Sequence, residues 1–228
     1  KVFLVVEKLD EVALIIQESQ KLGVKPSIGL RVRLDTIGEG QWQNTGGEKS
    51  KFGLTAQQIM AACDQLTTAN MMDCLELLHF HMGSQVSSAN DISGCVSEAA
   101  RVWVEVKQMG AQDLAWMDVG GGLGVDYEGT RSRSSFSINY SIEEYASVVV
   151  HAIQQMCELH GFDHPHIITE SGRNLTAHHA CLLVPIVGIE SPLGVQPVAP
   201  EAEIGFNADL WKIFVDLRDG VSPRRLGE

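Results

Sequence analysis

The chain has 228 residues, 44% of them hydrophobic and 20% charged, with a formal net charge of −12. That length and apolar content allow one large domain or two small ones built around a real core. The acidic balance argues against a nucleic-acid surface, which needs a basic footprint, and no apolar run approaches the roughly 18 residues of a membrane span.

Strand-like and helix-like segments alternate along the chain. "VFLVVE" (2–7) reads as a buried strand, and "LDEVALIIQESQKLG" (9–23) carries apolar residues at helical spacing with Gly23 as a stop. "SIGLRVRL" (27–34) is the next strand, and a polar, glycine-rich loop runs from Asp35 to Gly53. "TAQQIMAACDQLTTA" (55–69) predicts a helix capped by Thr55. "CLELLHFHM" (74–82) predicts a strand, "NDISGCVSEAARVWVEVKQMG" (90–110) a long helix and "LAWMDV" (114–119) a strand. "SIEEYASVVVHAIQQMCELHG" (141–161) predicts a helix, with Ser141 and Glu144 in capping-box register. "HIITE" (166–170) and "ACLLVPIVGIE" (180–190) read as two more strands. From Ser191 the alternation stops, so residues 1–190 read as one domain and 191–228 as an irregular tail or the start of a following segment.

Six strands alternating with four helices imply a parallel α/β sheet. An open doubly wound sheet concentrates its site at one switch point. A barrel builds its site from the loops after many strands. Polar or glycine-rich motifs follow residues 34, 81, 119 and 170, which favours the barrel. Six strands are too few to close eight-fold, so the expected fold is a partial (β/α)8 TIM barrel. The opening "KVFLVVEKLDEV" reads like the middle of a domain, with no signal peptide. The five cysteines are scattered and form no CxxC pair, which points to reduced thiols in a cytoplasmic setting.

Four motifs carry chemistry. In "DVGGGLGVDYEG" (118–129), Gly120, Gly121 and Gly122 follow a strand. They match neither GxxxxGK[ST] nor GxGxxG, and suit backbone N–H groups cradling a single phosphate. In "LLHFHMGSQ" (77–85), His79 and His81 fall on one face of a strand. They are either a metal pair or one buried histidine beside one that touches a ligand. Further ligands are lacking, because "HPH" (164–166) and "HH" (178–179) lie at the wrong end of a strand or in a helix. No metal ligand is therefore assigned. In "ITESGRNL" (168–175), Glu170 ends an apolar strand, and Arg173 follows a Ser-Gly pair. The two could hold opposite ends of one ligand or form a simple ion pair. In "GGEKSKFGL" (46–54), Lys49 and Lys51 flank a serine in a loop that is either a site element or a solvated surface.

These motifs, in this order, resemble the fold-type III pyridoxal-phosphate decarboxylases, whose barrel is of the alanine racemase-like type. The segments "GEKSKFGL", "LLHFHMGSQ", "DVGGGLGVDYEGTRS" and "ESGRNLTAHHA" carry the likeness, which runs from residue 1 to about 190. The "GVDYEGTRS" and "LTAHHA" extensions are similar to those of the family's bacterial biosynthetic arginine branch. The resemblance implies pyridoxal 5'-phosphate as cofactor. It implies that His81 stacks on the cofactor ring, that Ser84, Gly120, Gly121, Gly122, Gly172 and Arg173 hold the phosphate, and that Glu170 faces the pyridine nitrogen. Asp118, Gly124, Asp126 and Tyr127 fall in the segment it associates with substrate binding. A carboxylate at that nitrogen favours the protonated pyridinium, and so a deeper electron sink. A racemase of this fold is expected to place an arginine there, so Glu170 favours decarboxylation.

The implied reaction converts L-arginine to agmatine and CO2 in polyamine and spermidine biosynthesis. The likeness also implies a Mg2+ requirement and a homo-oligomer. Diaminopimelate or ornithine decarboxylation, and a non-catalytic PLP-binding relative, are the alternatives. The family's Schiff-base lysine and its second, β-rich domain have no counterpart in these residues. The expectation is therefore a fragment of the barrel, inactive by itself.

Overall fold

A computed structural model describes residues 1–36 and 50–188. Its strands are β1 (Leu4–Val6), β2 (Ile28–Val32), β3 (Leu75–Phe80), β4 (Trp116–Asp118) and β5 (His166–Ile168), and all neighbouring pairs are parallel. Helices α1 (Leu9–Leu22), α2 (Ala56–Thr68), α3 (Ala89–Gln108) and α4 (Ile142–His160) supply the crossovers. The strands lie in the order β1-β2-β3-β4-β5. A doubly wound sheet reverses its order at a switch point. This one never reverses, so it is an open segment of barrel wall.

The helices begin and end where their chemistry dictates. Thr55 accepts from the Gln58 N–H, Ser141 accepts from the Glu144 N–H, and both capping boxes are complete. At the start of α1 the Glu11 carboxylate accepts from the backbone N–H groups of Glu7 and Lys8. Gly23 and Gly161 close α1 and α4 in the left-handed conformation, at φ 64° and 70°. Along α4 the buried residues Tyr145, Val149, Ala152, Ile153 and Cys157 fall at helical spacing. They join Leu30, Leu78, Phe80 and Met117 of the strands in one core. Cys63 and Cys95 sit in this core, and burial pushes their thiols up to about 11 and about 12.

Among the described residues the sheet has five strands, not the six expected. Residues 180–188 form no strand, and Leu182, Leu183, Val184, Ile186 and Val187 are exposed. Apolar composition does not make a strand without a ladder partner and a buried face, and Pro185 removes a ladder donor in mid-run. Residues 189 and 190 of that expected strand lie outside the described residues. A short helix, α5 (Gly172–Thr176), follows β5 where no helix was expected. The chain forms two compact units, 1–178 and 179–228. Of the second, only residues 179–188 are described, so the tail from Ser191 lies outside.

Candidate cofactor site

The carboxyl ends of β3, β4 and β5 converge on the triple glycine. A Cβ on Gly120 would lie 2.3 Å from the Phe80 carbonyl oxygen, and one on Gly122 would lie 2.8 Å from Met82 Cγ. Gly120 and Gly122 also take positive φ, 66° and 121°. A Cβ on Gly121 would lie 3.2 Å from the Glu170 carbonyl oxygen and 3.3 Å from His81 Cε1. The glycines are therefore demanded first by chain-on-chain approach. The phosphate cradle expected of them is not needed to explain them. Two of their N–H groups are engaged within the protein: Gly120 donates to Asp118 Oδ1 at 2.9 Å and Gly121 to His81 Nδ1 at 3.3 Å.

His81, Gly121 and Glu170 thus lie together at one end of the sheet, and the Glu170 N–H donates to the Gly120 carbonyl at 2.9 Å. The contact from Gly121 makes His81 Nδ1 an acceptor and fixes the ring's orientation. Burial, then Arg31 and His79, lower the His81 pKa, with Asp118 opposing. All these effects but the last favour the neutral ring that the Gly121 contact requires. Beneath it, β2, β3 and β4 place Arg31, His79 and Asp118 in cross-strand register. Arg31 donates to Glu7 at 2.6 Å. His79 is buried, and its Nδ1 lies 3.2 Å from Asp118 Oδ2.

Arg173 draws three of the expected residues together, donating to Ser84 Oγ at 2.9 Å and to the Tyr127 hydroxyl at 3.2 Å. Gly172 opens α5 with no atom within 4 Å of where its Cβ would be. Glu170 is exposed and carries its carboxylate on a backbone pinned to Gly120. The expected substrate segment is more internally committed. Asp126 accepts from Ser137 Oγ at 2.6 Å and from the Arg131 N–H at 3.1 Å, and these bonds hold its carboxyl below the usual range. It also lines a cavity of about 370 Å³ with Arg131, Asn139, Asn174 and His178. Gly124 packs against Ile138 and accepts from Asn174 at its carbonyl. Asp118 is buried and bonded to Gly120. Lys51 lies over the Phe52 ring, and Lys49 lies outside the described residues.

Sequence reasoning passed over three residues. Gln85, at φ 58°, clamps Val125 through both its N–H and its carbonyl. The Tyr140 hydroxyl bridges the Gly124 N–H and the Val86 carbonyl. Arg31 is a charge inside an apolar strand, which was a visible signal. Gln85 and Tyr140 had none, because their partners lie 40 and 16 or more residues away.

A guanidinium and a hydroxyl side by side suit a phosphate, which takes charge-assisted hydrogen bonds. A histidine ring oriented by its own hydrogen bond and an exposed acid, Glu170, on a backbone held to Gly120 suit a flat, nitrogen-containing ring. The residues present therefore fit pyridoxal phosphate. Among the described residues, no three His, Cys, Asp or Glu side chains are grouped to hold a metal ion.

Comparison with known proteins places the chain in a family. Residues 1–177 match the family model for the pyridoxal-binding domain of the pyridoxal-dependent decarboxylases. A biosynthetic arginine decarboxylase of Marinobacter nauticus is 52% identical over 100% of this chain and 36% of its own length. One from Neisseria meningitidis serogroup B is 47% identical over 99% and 36%. The chain thus spans little more than a third of these relatives. Among solved structures, the biosynthetic arginine decarboxylase of Campylobacter jejuni superposes with a TM-score of 0.63 at 32% identity, over 75% of this chain and 26% of that one. Diaminopimelate decarboxylase of Helicobacter pylori, complexed with L-lysine, gives 0.59 at 29%, over 76% and 40%.

Proposed function

The chain belongs to the pyridoxal-dependent decarboxylases, and on that premise we propose that the protein carrying it converts L-arginine to agmatine and CO2. The observation that carries the proposal is the gathering of Ser84 and His81, after β3, with Glu170 and Arg173, after β5, around the glycine loop after β4. Likeness along the whole chain to relatives named for arginine supports the substrate.

Pyridoxal phosphate, when bound, supplies an electron sink for the charge left by loss of CO2. The residues of this chain hold it ready. Arg173 and Ser84 take the phosphate, with Gly172 presenting open backbone beside them. His81 offers a ring whose orientation is set by the Gly121 N–H. The Glu170 carboxylate keeps a proton on the ring nitrogen by charge pairing. Tyr127, bonded to Arg173, borders the substrate side, and Asp126 faces the neighbouring cavity. Asp118 and Asp126 already hold protein donors, so both shape the substrate segment, and Asp126 also borders the cavity.

The same reading takes the protein to be a soluble cytoplasmic homo-oligomer serving polyamine synthesis. A magnesium requirement belongs to the resemblance. The donor set described above does not fit a metal, and no step is routed through one. The test is CO2 release from L-arginine, L-ornithine and diaminopimelate by the full-length protein, with visible absorbance reporting bound cofactor. Release from arginine alone supports the proposal. Release from diaminopimelate or ornithine overturns the substrate, and a bound cofactor with no release overturns the activity.

A further inference from the structure

His79 and Asp118 lie deeper in the sheet than the residues that face the cofactor. They are cross-strand partners, both buried, on strands whose other inward positions are apolar or small. A buried carboxylate is expensive unless it is paired, and Asp118 spends its two oxygens on different tasks. Oδ1 accepts the Gly120 N–H at 2.9 Å, folding the chain back two residues after the strand ends. Oδ2 faces His79 Nδ1 at 3.2 Å, too obliquely for a hydrogen bond. The turn made by Oδ1 delivers the next N–H, that of Gly121, to His81 Nδ1. Both histidines of "HFH" therefore address the same glycine loop, His81 directly and His79 through Asp118.

We propose that His79 and Asp118 are positioning residues: the buried pair fixes the turn at Gly120, and through Gly121 it sets the angle of the His81 ring. Neither touches the cofactor. This replaces the substrate-binding role expected of Asp118, and it explains why a titratable histidine sits inside the wall. His79 fills the space beside the second oxygen of Asp118 and so limits how the carboxylate can turn. Without that neighbour the carboxylate can swing away from Gly120. The effect on the cofactor rests on the function proposed above, but the effect on the loop does not.

Two measurements separate them. In the cofactor-free full-length protein, hydrogen exchange of the 118–125 segment is compared among wild type, His79→Leu, Asp118→Ala and Asp118→Asn. Exchange should speed about tenfold or more in His79→Leu and Asp118→Ala, as expected when a hydrogen bond to a charged group is lost. Asp118→Asn keeps an acceptor for Gly120 and should restore slow exchange. In the loaded protein, the visible circular dichroism of bound pyridoxal phosphate should fall in His79→Leu and Asp118→Ala and return in Asp118→Asn, with far-ultraviolet dichroism unchanged. Unchanged exchange in both His79→Leu and Asp118→Ala overturns the positioning role. Faster exchange in the two variants, together with a wild type that binds no pyridoxal phosphate, keeps the loop device and overturns the cofactor reading. If Asp118→Ala does not fold, His79→Leu and Asp118→Asn decide the question.

Discussion

Glu170 and Arg173 lie three residues apart, yet the proposed chemistry separates their effects. In the full-length protein, Glu170→Gln keeps size and hydrogen bonding but removes the counter-charge at the ring nitrogen. It should leave the cofactor bound and lower kcat about a hundredfold, roughly 3 kcal/mol of transition-state stabilisation. Arg173→Ala should lose cofactor on dialysis and regain activity with excess pyridoxal phosphate. Cofactor absorbance and CO2 release on both variants check the pair, and near-normal turnover in Glu170→Gln would remove Glu170 from the mechanism. His81 makes a pH prediction. Its pKa is depressed in the folded chain, chiefly by burial, so the unfolded chain takes up the proton first. Stability should be unaffected by this group above about pH 6.5, and should fall as pH drops below that value toward the lowered pKa. Denaturant midpoints at about pH 7.5 and about pH 5.5 should fall further for wild type than for His81→Phe; equal losses would show that the ring is not held neutral. At this scale the sequence displayed the residue types but not their partners. Ser84 and Arg173 are 89 residues apart and meet at 2.9 Å. The donors that Asp118 and Asp126 hold within the protein, Gly120 and Ser137, likewise lack any sequence mark of that role.

The elements were legible wherever their ends carry local chemistry. Thr55 with Gln58 and Ser141 with Glu144 are readable as capping boxes because the interaction spans only three residues. Ser141→Ala should destabilise the chain by about 1 kcal/mol, read as a shift in denaturant midpoint. The run 180–190 misled because period-free apolar sequence says nothing about a ladder partner, and α5 was hidden because five residues carry too little periodicity. The loop after β4 shows the same division. Its glycines were conspicuous, but the reason for them is supplied by β3, some forty residues earlier. Gly120 and Gly129 share a positive φ, 66° and 70°, and differ in surroundings. A Cβ at Gly129 meets nothing within 4 Å, while one at Gly120 meets the Phe80 carbonyl at 2.3 Å. Gly129→Ala should therefore show only the left-handed strain of about 1 kcal/mol. Gly120→Ala should lose several times more stability and displace His81. Equal losses in thermal midpoint would mean that the β3 and β4 loops are not in contact.

Across the whole unit 1–178, the two ends of the sheet do different work. At the amino ends, Lys1 pairs with Glu76, which also accepts from Ser27, and Lys25 pairs with Asp73 at 2.7 Å. Their effect on the carboxyls is a lowered pKa, for Asp73 chiefly through the Lys25 hydrogen bond. Lys25 and Asp73 are exposed and Lys1 is nearly half so, while Glu76 is partly buried, so salt screens these pairs and they steady the fold only weakly. At the carboxyl ends, the loops carry Ser84, Gly120–Gly122, Glu170 and Arg173, the arrangement by which barrels separate stability from chemistry. This polarity was legible in outline, because polar or glycine-rich motifs followed residues 34, 81, 119 and 170, each at the end of a strand. What it implies can be measured at both ends of one molecule. Lys25→Met and Glu76→Gln should leave the affinity of the full-length protein for pyridoxal phosphate unchanged, and any fall in thermal midpoint should shrink in high salt. Ser84→Ala should weaken that affinity about tenfold, the equivalent of one hydrogen bond to a charged group, and leave the midpoint of the cofactor-free protein nearly unchanged. Fluorescence titration with pyridoxal phosphate beside a thermal melt of each variant gives both quantities. Should Glu76→Gln alter cofactor affinity as much as Ser84→Ala does, the site would not be confined to the carboxyl ends, and the assignment of Ser84 and Arg173 to the phosphate would fall with it.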